Sequence, residues 1–536
     1  MRARSAAITI ATTTAAVVLP AVPAGAATIT VCHSGCTYSQ LAPALAAAHD
    51  GDTIKVGRGT YAGGVTITTS ITLRGAGSSA TVISGGGPVL TVGAFGASSE
   101  PRVAIAGVTI RGGVTRSSQE SEAFVGKPGV LALGGGIEVP PDASQSSGAE
   151  VTITDSVVSG NQVAPTATVP SGLSECPRFP QDMCPFAIAG GGGINTWGPL
   201  TIRNSTISGN RVGAATSLPH NGKSSDANGA GIWSLNGPLT ITNSLVTGNR
   251  ARAVAPNGRF GDGGGLLADG GITTLRHDTF SDNAARLDAA LTNDFTSPDS
   301  WLAIAGGAHI SGDAATVTDS RFVDNRVVMT NSVGDANAFS GGLHTDMDIT
   351  VSGVVSSHNT VISRATGPGA DAVADSGAGE ISGSLTDVRM SDNTVAAWSR
   401  SGLASAVAGA AVSRGTLTDS TVRGNTVRAS ASRGDALADG GGLLVGGPLT
   451  IRSSTVAGDT ARIDSGRGAA KGGGIYDAPV PNGPPGGPLT LVDSRITGNR
   501  AVGPSAAGGG IFASGQSVSR TASVVRGNRP DQCVGC

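Results

Sequence analysis

Between Asn161 and Asn528 the chain repeats one pattern eleven times: a glycine cluster closed by an aliphatic residue, a short Leu-Thr-Ile-like segment, then Asn/Asp-Ser-x-x-x-Gly-Asn. Two clean copies are Gly191-Gly192-Gly193-Ile194 with Leu200-Thr201-Ile202-Arg203-Asn204-Ser205-Thr206-Ile207-Ser208-Gly209-Asn210, and Gly472-Gly473-Gly474-Ile475 with Leu489-Thr490-Leu491-Val492-Asp493-Ser494-Arg495-Ile496-Thr497-Gly498-Asn499. The closing residues are Asn161, Asn210, Asn249, Asn283, Asn325, Asn359, Asn393, Asn425, Asp459, Asn499 and Asn528, spaced 29 to 49 residues apart. A unit this short, built of β-branched residues and turns, cannot bury its own apolar face, so copies must stack. Long 3.6-residue patterns are missing, which excludes a helical solenoid. The pattern predicts an all-β solenoid with three short strands per turn, insertions confined to one corner, and the closing residues stacked as an asparagine ladder.

Composition narrows the filling and the partners. Aromatic residues make up only 3% and Gly numbers 83 of 536, so Val, Ile, Leu and Ala must fill the core of thin coils. A net charge of −2 without a long run of either sign excludes nucleic acid, which needs a basic footprint, and an electrostatically driven membrane contact. Arg2 and Arg4, the apolar stretch 8–22 and Ala24-Gly25-Ala26 read as a cleaved export signal over 1–27. No later run is long and apolar enough for a spanning helix, so the mature chain is expected to be secreted or held at a cell surface. Six cysteines in an exported chain point to disulfides. They form close couples, Cys32 with Cys36, Cys176 with Cys184 and Cys533 with Cys536, and in a rod only local pairing is open to them. The Cys533-x-x-Cys536 spacing also suits a redox pair or zinc half-site, but nothing supplies further ligands, and the structural staple is preferred.

Residues 28–536 read as one solenoid. Within it, 37–49 is a short amphipathic helix capped by Ser39 or Thr37, placed to cover the strand edges of the first coil. Residues 50–133 form N-terminal coils, with strands such as Thr53-Ile54-Lys55-Val56 and Val65-Thr66-Ile67, and 134–536 carry the long repeats. Asp50-Gly51-Asp52-Thr53-Ile54-Lys55-Val56-Gly57-Arg58-Gly59-Thr60-Tyr61, followed by Ile71-Thr72-Leu73-Arg74-Gly75-Ala76-Gly77 and Thr81-Val82-Ile83-Ser84-Gly85, resembles the opening of the pectate-lyase-like right-handed parallel β-helix superfamily. The Gly-Gly-Gly-Ile blocks, with Phe280-Ser281-Asp282-Asn283 and Phe322-Val323-Asp324-Asn325, resemble the repeats of polymorphic outer-membrane adhesins. The resemblance implies a single right-handed parallel β-helix of about fourteen coils. It leaves function open, because the superfamily holds lyases, hydrolases, adhesins and inert spikes.

Segments between each closing Asn and the next glycine cluster carry most of the length variation and are expected as loops along one edge, where recognition tends to sit. The residue after each closing aliphatic points outward, giving a row Glu138, Asn195, Trp233, Leu267, Ser311, His344, Ser382, Ser413, Leu444, Tyr476 and Phe512. Two residues on lies a second row, Trp197, Leu235, Asp269, Asp313 and Asp346. Trp197, Trp233, Tyr476 and Phe512 form a candidate strip for stacking on sugar rings. Asp269, Asp313 and Asp346 would stack at ~4.8 Å per coil, the ~5 Å or ~6.5–9.5 Å separations of retaining or inverting glycosidases, with His344 orienting one of them. The same oxygens would take Ca²⁺ in a lyase; otherwise no cofactor is expected. The Asn-Thr-Asp, Gly-His-Gly and Arg-Ile-Lys sets of polygalacturonases are not found. The preferred reading is therefore a non-catalytic surface or matrix adhesin that binds polysaccharide or another cell-surface macromolecule. The alternatives are a polysaccharide lyase or glycoside hydrolase, and a plain structural spacer.

Overall fold

The computed structural model describes residues 25–118, 129–167, 186–216, 225–254, 258–290, 302–479 and 486–536; most of the export signal lies outside them, as do Cys176 and Cys184. The fold is nearly all β, with strands of 26, 14, 12 and 11 in four sheets, here numbered 1 to 4. Every pairing between the strands named here is parallel, as stacked rungs of a β-solenoid require.

In the N-terminal rungs the expected three strands are present, for example Thr53–Val56, Gly59–Ala62 and Val65–Ile67. The long repeats differ. One runs Ile194–Thr196 and Leu200–Arg203 in sheet 1, Thr206–Ser208 in sheet 2, Arg211–Thr216 in sheet 3 and Ser225–Asn228 in sheet 4, before the next begins at Ile232. The stretches expected to be edge loops are largely strands: sheets 3 and 4 form a fin that stands on the body made by sheets 1 and 2. The cause lies in their composition. Alternating Ala or Val with polar residues looks bland in one copy, yet stacked it gives each of these two sheets one apolar face.

Two main cores follow, beside a small apolar cluster of Val407, Ala411, Leu444 and Tyr476. The body is filled by Ile, Leu and Val from sheets 1 and 2, with Phe280 and Phe322 stacked at 5.1 Å between centroids. The fin is filled chiefly by alanines, such as Ala374, Ala406 and Ala438 of sheet 4, against Val361, Val395 and Val427 of sheet 3. Side chains this short let the two sheets approach closely: Ser363 Oγ on sheet 3 donates to Ala336 O on sheet 4 at 2.7 Å, and Ser399 Oγ to Ala370 O at 2.7 Å.

The recurring motif is turn chemistry plus the neck between body and fin. The Asn or Asp before the serine sits in the left-handed region, as at Asn204 (φ 49°) and Asp493 (φ 50°), which these residues tolerate best among non-glycines. The serine after it forms a ladder of its own, Ser156 N–H donating to Ser205 Oγ at 3.1 Å and Ser205 N–H to Ser244 Oγ at 3.2 Å. The expected asparagine ladder is present. Asn210 accepts on Oδ1 from the N–H and Nδ2 of Asn161 at 3.1 and 3.0 Å, and its own Nδ2 donates to Val158 O and Asn249 Oδ1, both at 3.0 Å. These amides are fully buried, and the ladder satisfies them where water cannot.

The glycine clusters belong to the same neck. Gly191 adopts φ 62°, while a Cβ on Gly193 would come within 2.5 Å of Gly231 O and 2.8 Å of Asn210 Nδ2. The chain leaving the body and the chain returning to it therefore touch at the ladder, and the space between them is filled by glycine in most rungs and by nothing larger than Ala or Ser in the others, as at Ala230, Ala378 and Ser340.

At the N-terminal end the helix is shorter than expected, Leu41–Ala46, and Gln40 precedes it without a side-chain cap. The Thr37 N–H instead donates to Thr30 Oγ1, and neither Thr37 nor Ser39 is the cap. Leu41, Ala44 and Leu45 are buried on the first rungs, as a covering helix should be. Cys32 pairs with Cys36 and Cys533 with Cys536, the local couples expected. Among the described residues no helix is long and apolar enough to cross a membrane.

Candidate functional site

Where sheet 4 turns into sheet 1, outward side chains of the two sheets meet, as Asp262 meets His309, and the line along which they meet is termed the crease. Its floor is the outward residue after each glycine cluster, and parallel pairing gives the floor its membership. Glu138 pairs Asn195, Asn195 pairs Trp233, and Trp233 pairs Leu267. Then Leu267 pairs His309, His309 pairs His344, His344 pairs Glu380, and Glu380 pairs Ala411; Leu444, Tyr476 and Phe512 complete the row.

This corrects the expected row at three rungs. Ser311, Ser382 and Ser413 lie two residues too far along; their places belong to His309, Glu380 and Ala411. The inward position there is held by Ala308, Gly379 and Ala410, too small to mark the strand, and the next aliphatic (Ile310, Ile381 or Val412) imitates it. The carboxylate column is corrected in the same way. Asp269 pairs with Ser311, whose hydroxyl donates to Asp269 Oδ1 at 3.2 Å. Asp313 has left the column: its N–H donates to Gly271 O on the preceding rung. Asp346 continues from Thr345, the partner of Ile310, so Asp269 and Asp346 are separated by the Ser311 rung.

Asp346 instead joins a cluster containing a residue the sequence reading missed. His309 Nε2 lies 3.0 Å from Asp346 Oδ2, and His344 Nε2 lies 3.1 Å from Asp346 Oδ1. The far nitrogens are held as well. His309 Nδ1 meets Asp262 Oδ2 at 2.8 Å, and His344 Nδ1 meets Ser340 Oγ at 2.8 Å, with Glu380 Oε2 3.9 Å away. The rings pack edge to face at 4.7 Å. Asp262 is the last residue of the sheet 4 strand Gly258–Asp262, and Ser340 follows the strand Ala336–Phe339, so the fin contributes one wall and the body the floor.

Electrostatics follow from this packing. Burial alone would lower the pKa of His309, but the Asp262 charge and hydrogen bond, joined by those of Asp346, push it up to about 10. His309 is then an imidazolium that donates to both carboxylates. Asp346 is held far below the usual carboxylate range, first by the hydrogen bond from His309 and then by that from His344. One rung on, burial and the nearby Glu380 raise Asp375 to about 8.

A signal for this region was present in the sequence. The first glycine of the cluster is replaced by Ala305, Ser340 and Ser376 in the rungs of His309, His344 and Glu380, and by Ala408 in the rung after them, and all four retain positive φ of 48°, 57°, 60° and 58°. Non-glycine residues in that conformation cost roughly 1–2 kcal/mol each, and such strain concentrates at functional sites.

The aromatic strip is packed into the crease. Trp233 lies against Gly190, where a Cβ would clash with its ring, and Tyr476 is buried with its ring stacked on Phe512 at 5.6 Å. Lys471 Nζ sits 4.9 Å from the Phe512 centroid, and Trp197 follows Thr196 at the end of its strand. An open depression of about 300 Å³ lies elsewhere, on the N-terminal rungs, lined by Gly51, Ser70, Arg102 and Glu150 among others, and it contains no comparable cluster. Neither a family model nor a curated protein matches this chain.

Proposed function

We propose that the chain is an exported right-handed β-helix of about fourteen coils that binds a polysaccharide, or another extended cell-surface macromolecule, along the crease between sheets 4 and 1. The fourteen strands of sheet 2 support that coil count. The observation that carries the binding reading is the unbroken register of the crease floor from Glu138 to Phe512. A polymer lying along the axis would reach the floor where it is partly exposed, at Trp233, His344, Glu380 and Phe512, on rungs ~4.8 Å apart. Glu380, half-buried on this floor, can hydrogen-bond a glycan and is held in place by Ser413 Oγ, which donates to its Oε1 at 3.1 Å.

A polysaccharide lyase or hydrolase is the second reading, and one observation favours it: His344, Asp346 and His309 converge on one half-open spot. Incubating the protein with a polysaccharide panel, then assaying both retention and release of reducing ends or unsaturated products, separates the two. Retention without products is expected. Products that vanish in Asp346→Asn would replace the binding reading with the enzymatic one, and neither retention nor products would leave a structural rod.

A further inference from the structure

We propose that His309, His344 and Asp346 form a binding site for a divalent transition-metal ion of the zinc class, with Asp262 and Ser340 fixing the two imidazoles. The donor atoms of the three residues lie within 4.8 Å of one another. Each Nε2 is 3.0–3.1 Å from a different oxygen of Asp346. Ligands at ~2.0–2.1 Å from a tetrahedral Zn²⁺ stand ~3.3 Å apart, so an ion enters with only small shifts of these atoms, displacing the proton that His309 Nε2 gives to Asp346.

The second observation is independent of that convergence. A ligating histidine donates its other N–H to a carboxylate, carbonyl or similar acceptor, which fixes the tautomer and aims the ring. Both histidines have such partners in place: Asp262 Oδ2 for His309 and Ser340 Oγ for His344, each at 2.8 Å. The His309 and Asp262 side chains are only 9% and 11% exposed, so this orienting pair is fixed inside the corner of the fold. Ser340 occupies a left-handed position where most rungs use glycine, and the hydroxyl gained there is the group that holds His344.

Donor chemistry selects the ion. Imidazole nitrogens suit Zn²⁺, Cu²⁺, Ni²⁺ and Fe²⁺, whereas Ca²⁺ takes 6–8 oxygens, which the dispersed Asp269, Asp313 and Asp346 do not supply. Asp346 is 53% exposed on its side chain while the histidines are 9% and 12%, so the ion would be held from beneath and open to water or a ligand above. This inference does not rest on polymer binding, since the donors stand without it.

The test uses the mature chain, stripped with a chelator and titrated with Zn²⁺ by calorimetry and with Co²⁺ by visible absorption. About one equivalent per chain is expected, with the intense Co²⁺ bands of a low-coordinate nitrogen–oxygen site, and no heat from Ca²⁺. Asp262→Asn should weaken Zn²⁺ binding ~10–100-fold, as removal of an orienting partner does, and His344→Gln or Asp346→Asn should weaken it more. Asp346 is half-exposed, so its variant is expected to fold even if a His309 variant does not; circular dichroism checks this. Absence of a one-equivalent site, or Zn²⁺ affinity unchanged in both His344→Gln and Asp346→Asn, would overturn the proposal.

Discussion

Body and fin are built from the same rungs, in the same register, yet they hold together by different means. The body uses large side chains at most inward positions, as at Ile207, Phe280, Phe322 and Ile496, so its interior is set by shape. The fin uses Ala and Val, so its interior is set by how closely two backbones approach. The difference teaches where each half is vulnerable. Large-to-small changes open a cavity in the body. In the fin there is little to remove, and small-to-large changes force the sheets apart.

The largest expected effect breaks the body. Phe322→Ala removes one ring of the Phe280 stack and should cost ~3–5 kcal/mol, read as a lowered denaturation midpoint. The next lies at the neck, where Asp459 replaces an asparagine. Its Oδ1 accepts from the N–H and Nδ2 of Asn425 at 2.8 and 2.9 Å, while Oδ2 is buried without a hydrogen-bond partner. Burial pushes this carboxyl up to about 8, against an unfolded value of ~3.9. A raised folded pKa means that the contribution is fully present below pH ~4 and is lost as pH rises towards 8. Asp459→Asn should therefore gain ~2–3 kcal/mol at pH 8 and almost nothing near pH 4, checked by melts across that range.

In the fin, Ala406→Leu sits between Ala374 and Ala438 on neighbouring strands and should cost ~1–3 kcal/mol by overpacking; an unchanged midpoint would show that the fin sheets are free to separate. Smallest is the fin exterior. Arg252 donates to Asp288 Oδ2 from Nε and Nη2 at 3.2 and 3.0 Å, but the pair is solvent-accessible, and Arg252→Ala should cost ~0.2–1 kcal/mol, less in high salt.

The body was legible because its signals are strong one copy at a time. Leu200-Thr201-Ile202-Arg203 alternates in burial as its pattern demands, and a closing Asn recurs whatever the spacing. The fin was not, because Thr426-Val427-Arg428-Ala429-Ser430-Ala431 is a strand only by virtue of the similarly small-residue stretches paired above and below it, Thr394–Ser399 and Thr460–Ile463. His344 and Asp346 were legible as a pair, since an outward residue and its i+2 neighbour share a face. Asp269 and Asp313 were grouped with them on a register that one small inward residue, Ala308, displaced by two. The same displacement hid His309. Reading the neck residues would have recovered it, because Ala305, like Gly134 and Gly191, stands four positions before the crease floor.

The neck has a consequence for how such a molecule changes over time. Chain leaves the body at the asparagine and re-enters at the glycines, and those two crossings fix each storey whatever lies between them. The separation of successive ladder residues ranges from 29 to 49, yet the amide contacts keep the same lengths within a few tenths of an ångström. Outer geometry can therefore be lengthened, trimmed or re-lettered one storey at a time while the shaft beneath stays plumb.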